Sequence, residues 1–173
     1  MSVLTEIERE QIKELQRKKI LFSFKEGEIS GLTQNGGISI FCGDGDIDAP
    51  EYHKRAIHPR RHNISVFGGF LVFCKSYKIY DTGLAEGLLR NAKLGMKAKD
   101  TSSIFLYPHW PCQAGKEYGY SMLNMIDMLP EAVEVFKIYS EIEKIHILFH
   151  TMRISKHGHL QHNTYKLILP EGK

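Results

Sequence analysis

The stretch Ile38-Ser39-Ile40-Phe41-Cys42-Gly43-Asp44-Gly45-Asp46 is a short apolar run that ends in metal-binding side chains. Its β-branched and aromatic residues, followed by two spaced glycines, are typical of a buried strand. A second stretch of the same form, Ile104-Phe105-Leu106-Tyr107-Pro108-His109-Trp110-Pro111-Cys112, is interrupted by its two prolines. Ligands of an open parallel sheet collect beyond the carboxyl ends of its strands. We therefore expect Cys42 and His109 to lie close together.

The polar residues of the two stretches have the chemistry of a zinc centre. Cys112 follows His109 by three residues, about one turn of a helix, so both side chains can face one point. Asp44 follows Cys42 by two residues and can point to the same side of an extended chain. Two thiolates and one imidazole form a common zinc set, with a fourth position for a carboxylate or water. The alternative is that the cysteines are small buried hydrophobic residues without a metal.

These motifs resemble those of the beta-class carbonic anhydrases, over about residues 36–150. That family has a Cys-x-Asp-x-Arg motif after its first strand and a His-x-x-Cys motif after a later one. The resemblance implies that Cys42, His109 and Cys112 bind Zn²⁺ and that Asp44 is the catalytic gate. In the family, this Asp either occupies the fourth position or pairs with the Arg and leaves that position to water. The implied reaction is the reversible hydration of carbon dioxide to bicarbonate.

The chain departs from the family pattern at two positions. Asp46 stands where the family has Arg, and Gln113 stands where it usually has Gly. Two neighbouring carboxylates disfavour joint ionisation, and a dication relieves the conflict. This favours Asp44 as a fourth zinc ligand, in a closed Cys-Asp-His-Cys site without catalysis. A catalytic zinc lyase and a non-catalytic zinc protein of the same fold therefore both remain open. Candidates to orient a substrate are Gln113 and Tyr118.

Composition bounds the other possibilities. The chain has 173 residues, 42% of them hydrophobic and 25% charged, with a formal charge of +3. It is interpreted as one domain, 1–173, with a helical arm at 1–20, a zinc-binding core at 36–150 and a strand extension at 151–173. The charge does not indicate nucleic acid, and no apolar run reaches the about 20 residues of a membrane span. The three cysteines, two of them assigned as thiolate ligands, favour the reducing cytoplasm, and Cys74 is predicted to be a buried core thiol.

The predicted fold class is α/β, with a mainly parallel sheet flanked by helices and an N-terminal helix. A first helix is expected at 3–19, capped by Thr5 with Glu8, and it packs either on its own domain or on a partner subunit. The second possibility predicts a homodimer or a higher even oligomer. Further expectations are a strand over Ile64 to Cys74, helices at 82–98 and from Pro130, and last strands at 145–150 and 165–169.

Two clusters of basic or imidazole side chains have alternative interpretations. The most basic segment of the chain is 47–63, with Arg55, Arg60 and Arg61. It is a candidate for a metal-free phosphate or nucleic-acid site, but its charges lack the interleaved aromatic residues of single-strand binders. The same arginines are the nearest cations in sequence that can replace the family's Arg. The tract of His157, His159 and His162 can bind metal, although a mobile hairpin tip is the stronger interpretation.

Overall fold

A computed structural model describes residues 3–24, 37–43, 61–139, 142, 144–154, 157 and 159–170, with residues 61, 139, 153 and 160 described by their backbone alone. Within these ranges, five helices and seven strands follow one another along the chain. In order they are α1 (Glu6–Arg17), β1 (Leu21–Ser23), β2 (Gly37–Cys42), β3 (Arg61–Val66), a 3-10 helix (Gly69–Phe73), α2 (Thr82–Lys99), β4 (Ser103–Tyr107), β5 (His109–Trp110), α3 (Gln113–Glu117), α4 (Met122–Tyr139), β6 (Lys144–Ile154) and β7 (Leu160–Leu167).

The strands form one mixed sheet in the order β1-β7-β6-β4-β2-β3, with β5 paired to β6. The pairings of β2 with β3, β2 with β4, β4 with β6 and β5 with β6 are parallel. The C-terminal hairpin of β6 and β7 is antiparallel, and β1 pairs antiparallel with β7. The α/β class, the flanking helices and the N-terminal helix are confirmed. The sheet is mixed because only five residues separate β6 from β7 in the sequence, whereas parallel neighbours need a crossover connection of about a dozen or more.

Helix α1 begins with the predicted capping box. The Thr5 hydroxyl accepts a hydrogen bond from the Glu8 amide at 3.3 Å, and the Glu8 carboxylate accepts one from the Thr5 amide at 2.6 Å. Ile12 and Leu15 are buried, and the Leu4 amide donates to the Met152 carbonyl at 3.2 Å. The helix therefore packs on the core of its own chain.

The predicted strand over Ile64 to Cys74 is wrong in its second half. Strand β3 ends at Val66, and the next apolar residues form the 3-10 helix. Gly68 and Gly69 have φ values of +92° and +55°, which turn the chain out of the sheet. Only glycine adopts such angles readily. The residues of the 3-10 helix are nevertheless buried, so an apolar run alone did not distinguish a strand from a buried turn.

The prediction that Pro130 begins a new helix is also wrong. Helix α4 runs through Pro130 without interruption. Proline removes one backbone hydrogen bond from a helix interior, but packing on both sides can outweigh that loss. Leu129, Ala132 and Phe136, on either side of Pro130, are fully buried. Strand β1 was missed because three residues carry too little pattern to detect, and β7 begins at Leu160, earlier than predicted.

The hydrophobic core extends from α1 to β7 and includes Ile38, Phe73, Leu106 and Phe136. Strand β6 runs without a break past residue 150, where the sequence placed the end of the zinc-binding core. Cys74 is fully buried, and its thiol donates to the carbonyls of residues 70 and 128, as expected for a core cysteine. Among the described helices, none is both long and apolar enough to cross a bilayer.

Candidate metal centre

The sheet brings the two sequence motifs together at one edge. Parallel pairing sets Phe41 of β2 opposite Tyr107 of β4. Cys42 follows on the first strand, and His109 follows on the second after Pro108. The chain then continues as β5, which sets His109 opposite His150 of β6. The predicted convergence at the carboxyl ends of parallel strands is confirmed.

Cys112 reaches the same place by a different route from the predicted one. His109 and Trp110 are strand residues, and Cys112 is the extended residue that precedes helix α3. The predicted single helical turn between His109 and Cys112 is therefore wrong. Pro111 separates the strand from the helix after a cis peptide bond. The two side chains nevertheless face one point.

The donor atoms of Cys42, His109 and Cys112 all lie within 4.8 Å of one another, and the three residues are buried. The two sulfur atoms are 4.0 Å apart. A tetrahedral ion with Zn–S bonds of about 2.3 Å holds two sulfurs roughly 3.8 Å apart. A disulfide requires about 2.05 Å, and both cysteines are free thiols. The group can hold a metal ion, and among the described residues it is the only such group of three or more.

The thiol pair favours a cation. The hydrogen bond with Cys112 and burial both raise the pKa of Cys42 well above its ordinary value, against a smaller opposing effect of His109. Cys42 therefore keeps its proton in the metal-free protein. A bound dication would reverse this preference, because a coordinating thiol is deprotonated outright. The electrostatics therefore suit a metal that replaces protons.

A backbone amide supports the first ligand. Gly68 N–H donates a hydrogen bond to the Cys42 sulfur at 3.2 Å. A Cβ at Gly69 would lie only 2.9 Å from the Cys42 backbone nitrogen. The glycine pair thus allows the turn to approach the end of β2 closely. Hydrogen bonds of this kind orient metal ligands and tune their basicity.

The N-terminal helix holds the segment between the other two ligands. Trp110 Nε1 donates to Glu8 Oε1 at 2.7 Å. The Lys116 ammonium lies 5.5 Å from the centre of the Trp110 ring, within reach of a cation–π interaction. Burial raises the pKa of Glu8, but hydrogen bonds from Thr5 and Trp110 outweigh it, so the pKa is lowered overall. Glu8 therefore contacts both the helix cap and the segment that carries the candidate ligands His109 and Cys112.

Some predicted site residues fall outside this description. Asp44, Asp46, Arg55 and Arg60 lie outside the described residues, and the Arg61 side chain does also. Neither the predicted gate nor its replacement cation is therefore placed. Of the two candidates to orient a substrate, Gln113 is exposed at the start of α3, and Tyr118 is partly buried against another tyrosine, with ring centres 5.5 Å apart.

The histidine tract does not add a second metal group within the described part of the chain. His157, His159 and His162 are exposed. A different histidine lies beside the site. His150 is buried, and burial, then the charges of His109 and His162, lower its pKa to about 3. The alternation of strand β6 placed His150 on one face with His146, but it did not indicate that this face meets the metal centre.

The sequence interpretation missed Tyr77, which is 2% exposed. Burial, then Tyr118 and the two site cysteines, raise the pKa of Tyr77 above its ordinary value. Nothing in its local pattern, Lys75-Ser76-Tyr77-Lys78, signals a site residue. Comparison of the chain with protein-family models and with curated proteins found no match.

Proposed function

We propose that this chain is a zinc protein that resembles the beta carbonic anhydrases and catalyses the reversible hydration of carbon dioxide. The observation that carries this proposal is the buried cluster of two cysteine sulfurs and one histidine nitrogen within 4.8 Å. Soft thiolates with an imidazole favour zinc over hard cations such as Mg²⁺ or Ca²⁺. Three protein ligands leave the fourth position that a catalytic zinc site needs.

In the proposed reaction, the zinc ion would supply the nucleophile, and the protein would hold the ion. Zinc, when bound, would lower the pKa of a coordinated water toward neutrality and so supply the nucleophile for carbon dioxide. The chain's own residues hold the ion and shield it from bulk water, since all three candidate ligands are buried. The Gly68 amide holds the Cys42 sulfur in place, and the Glu8–Trp110 hydrogen bond holds the segment between His109 and Cys112.

The second candidate is a zinc protein without hydratase activity, and the sequence supplies the reason. Asp46 occupies the position of the family's Arg. Without that cation, Asp44 is free to close the fourth position. Carbon dioxide hydration at neutral pH would then be weak or absent, unless Arg55, Arg60 or Arg61 substitutes for the missing charge.

Metal analysis of the purified chain tests the zinc assignment. We expect one zinc per wild-type chain and a large loss in Cys112→Ser. Cys74→Ser is the matched control, because it replaces another buried cysteine, whose thiol donates to backbone carbonyls. Equal zinc in all three proteins contradicts the site.

Stopped-flow hydration assays separate the two candidate functions. If Asp44 closes the site, wild-type activity at neutral pH is low, and Asp46→Arg raises it by restoring the Asp–Arg pair. Asp44→Asn should raise activity also, because it removes the carboxylate that competes for the ion. Brisk wild-type turnover that Asp46→Arg leaves unchanged supports the open site. No activity in any variant with full zinc content contradicts the hydratase proposal.

We also propose a cytoplasmic homodimer or higher even oligomer. Free thiols suit a reducing compartment. Helix α1 packs on its own chain, so the proposal of an oligomer rests on the family resemblance and on the charged outer face of α1.

A further inference from the structure

The Tyr77 hydroxyl is buried and has no hydrogen-bond partner within the described ranges of the chain. The whole residue is only 2% exposed. Buried polar groups in folded proteins are almost always hydrogen-bonded, so such a group often has a functional reason. A phenol can supply one donor hydrogen to a bound ligand.

The hydroxyl lies close to Gly68, the residue whose amide contacts a candidate metal ligand. Its oxygen would be 3.4 Å from a Cβ placed on Gly68. The Gly68 amide, in turn, donates to the Cys42 sulfur. The effect of both site cysteines on the pKa of Tyr77, after burial and Tyr118, is consistent with this proximity.

The position of Tyr77 is fixed by its neighbours. The Lys78 amide donates to the Tyr120 hydroxyl at 3.0 Å, and that hydroxyl donates to the Ser76 carbonyl at 3.2 Å. The Tyr77 ring packs edge-on against Tyr118 and at a tilt against Tyr120, with ring centres 5.5 and 6.0 Å apart. These contacts attach the segment around Tyr77 to the end of α3, the helix that follows Cys112. The hydroxyl is therefore held in place before any ligand binds, which lowers the cost of binding one.

We propose that the Tyr77 hydroxyl donates a hydrogen bond to an exchangeable oxygen ligand, water or bicarbonate, in the fourth position of a metal held by Cys42, His109 and Cys112. This inference rests on the zinc site proposed above. It assigns to Tyr77 the role considered for Gln113 and Tyr118. It also predicts selectivity, because oxyanions accept strong hydrogen bonds from a neutral donor and a large halide does not.

The test uses the full chain loaded with Co²⁺, whose visible absorption reports on its ligands. Bicarbonate and iodide are titrated separately into wild type, Tyr77→Phe and Tyr118→Phe. We expect Tyr77→Phe to weaken bicarbonate binding on the order of tenfold or more, from the loss of one hydrogen bond to a charged group. Iodide binding should change by less than about twofold, since it does not depend on that donor. Tyr118→Phe, which removes the hydroxyl of the adjacent ring, should bind both anions as the wild type does.

Thermal unfolding of the metal-free proteins gives an independent measurement. Tyr77→Phe should melt at or above the wild-type temperature, because it removes no hydrogen bond within the described chain. A lower melting temperature would show that the hydroxyl bonds to the protein and would overturn the proposal.

The possible failures can be distinguished. Unchanged bicarbonate affinity in Tyr77→Phe, or an equal loss for iodide, overturns the role of Tyr77 alone. Equal weakening in Tyr118→Phe overturns it also. Normal cobalt binding without any bicarbonate binding in the wild type overturns an exchangeable ligand but leaves the metal site. Failure of the wild type to bind cobalt overturns both this inference and the proposed function.

Discussion

Replacement of Gly69 by alanine should destabilise the protein and loosen the metal centre. Gly69 begins the 3-10 helix with a φ of +55°. Its missing Cβ would lie 2.9 Å from the Cys42 nitrogen, 3.2 Å from the Phe41 carbonyl carbon and 3.3 Å from the Cys42 Cα. All three are backbone atoms of β2, so no side-chain rotation can relieve the contact.

The magnitude follows from two additive costs. A left-handed φ costs a residue with a Cβ about 1–2 kcal/mol relative to glycine. Insertion of a methyl group into a closely packed site costs about 1–3 kcal/mol more. We therefore expect Gly69→Ala to lower the free energy of unfolding by about 2–5 kcal/mol. That is a large part of the roughly 5–15 kcal/mol of a typical domain.

Urea unfolding of the metal-free protein, followed by circular dichroism, measures this loss. Competition with a chelator then measures zinc affinity, which should fall because the added Cβ displaces the Cys42 backbone. Gly87→Ala is the matched control. Its Cβ would meet only the Arg90 guanidinium, at 3.9 Å, and alanine in a helix interior stabilises by about 0.5–1 kcal/mol. The two substitutions add the same methyl group and should change the free energy of unfolding in opposite directions.

A Gly69→Ala protein as stable as the wild type would refute this reasoning. It would mean that the 3-10 helix does not lie against the end of β2. A destabilised protein with unchanged zinc affinity would support the close packing of Gly69 on β2 but would show that this packing does not affect the metal centre.

Three further predictions concern the surroundings of the site and the assembly. Glu8→Ala should lose the helix cap and the bond to Trp110, lowering the free energy of unfolding by about 1–2 kcal/mol and weakening zinc binding. Glu10→Ala, which removes an exposed ion pair with Lys13 on the same helix, should leave zinc binding unchanged and alter stability far less, and equal effects of the two substitutions would refute a role for Glu8. His150 has a folded pKa of about 3 against an ordinary 6.5, so between these pH values the unfolded state binds more protons. The stability contributed by neutral His150 is thus full above pH 6.5 and is lost on acidification, by about 1.4 kcal/mol per pH unit. Urea unfolding of the metal-free protein at pH 7 and 5 should show this dependence, and His150→Gln should reduce it. The same dependence of stability on pH in both proteins would contradict the assignment. Sedimentation of the full chain at micromolar concentration should show a dimer or a higher even oligomer, and a monomer would remove the oligomer proposal.

The convergence of Cys42 and His109 could be predicted from the sequence because it depends on local patterns and on the geometry of parallel strands. Cys42 and His109 each follow an apolar run, and parallel pairing brings the ends of such runs to one edge. The convergence of Cys112 was predicted for the wrong reason, since a strand and a proline, not a helical turn, carry it there. Asp44 stays a prediction.

The errors have a common physical origin. Gly68 and Gly69 turn an apolar run away from the sheet, and hydrophobicity alone does not record the sign of φ. Pro130 stays within α4 because tertiary packing overrides a local preference. Tyr77 could not be found from sequence, since its position depends on contacts with residues about forty positions later. Burial of a polar atom is a property of the assembled fold.

The pairing of β1 with β7 has a consequence for the order in which the protein is assembled. Leu21 is registered with Leu167, so among the described strands β1 has no pairing partner until residues 160–167 have been synthesised. Helix α1, which contacts Trp110 through Glu8, is linked to that strand by only a few residues. The three candidate metal ligands are all synthesised before β7, so they can meet an ion while the strand that anchors the N-terminal segment is still missing. Such long-range pairing slows folding. A nascent chain would therefore pass through a stage in which all three candidate ligands are present but β1 is not yet paired with β7.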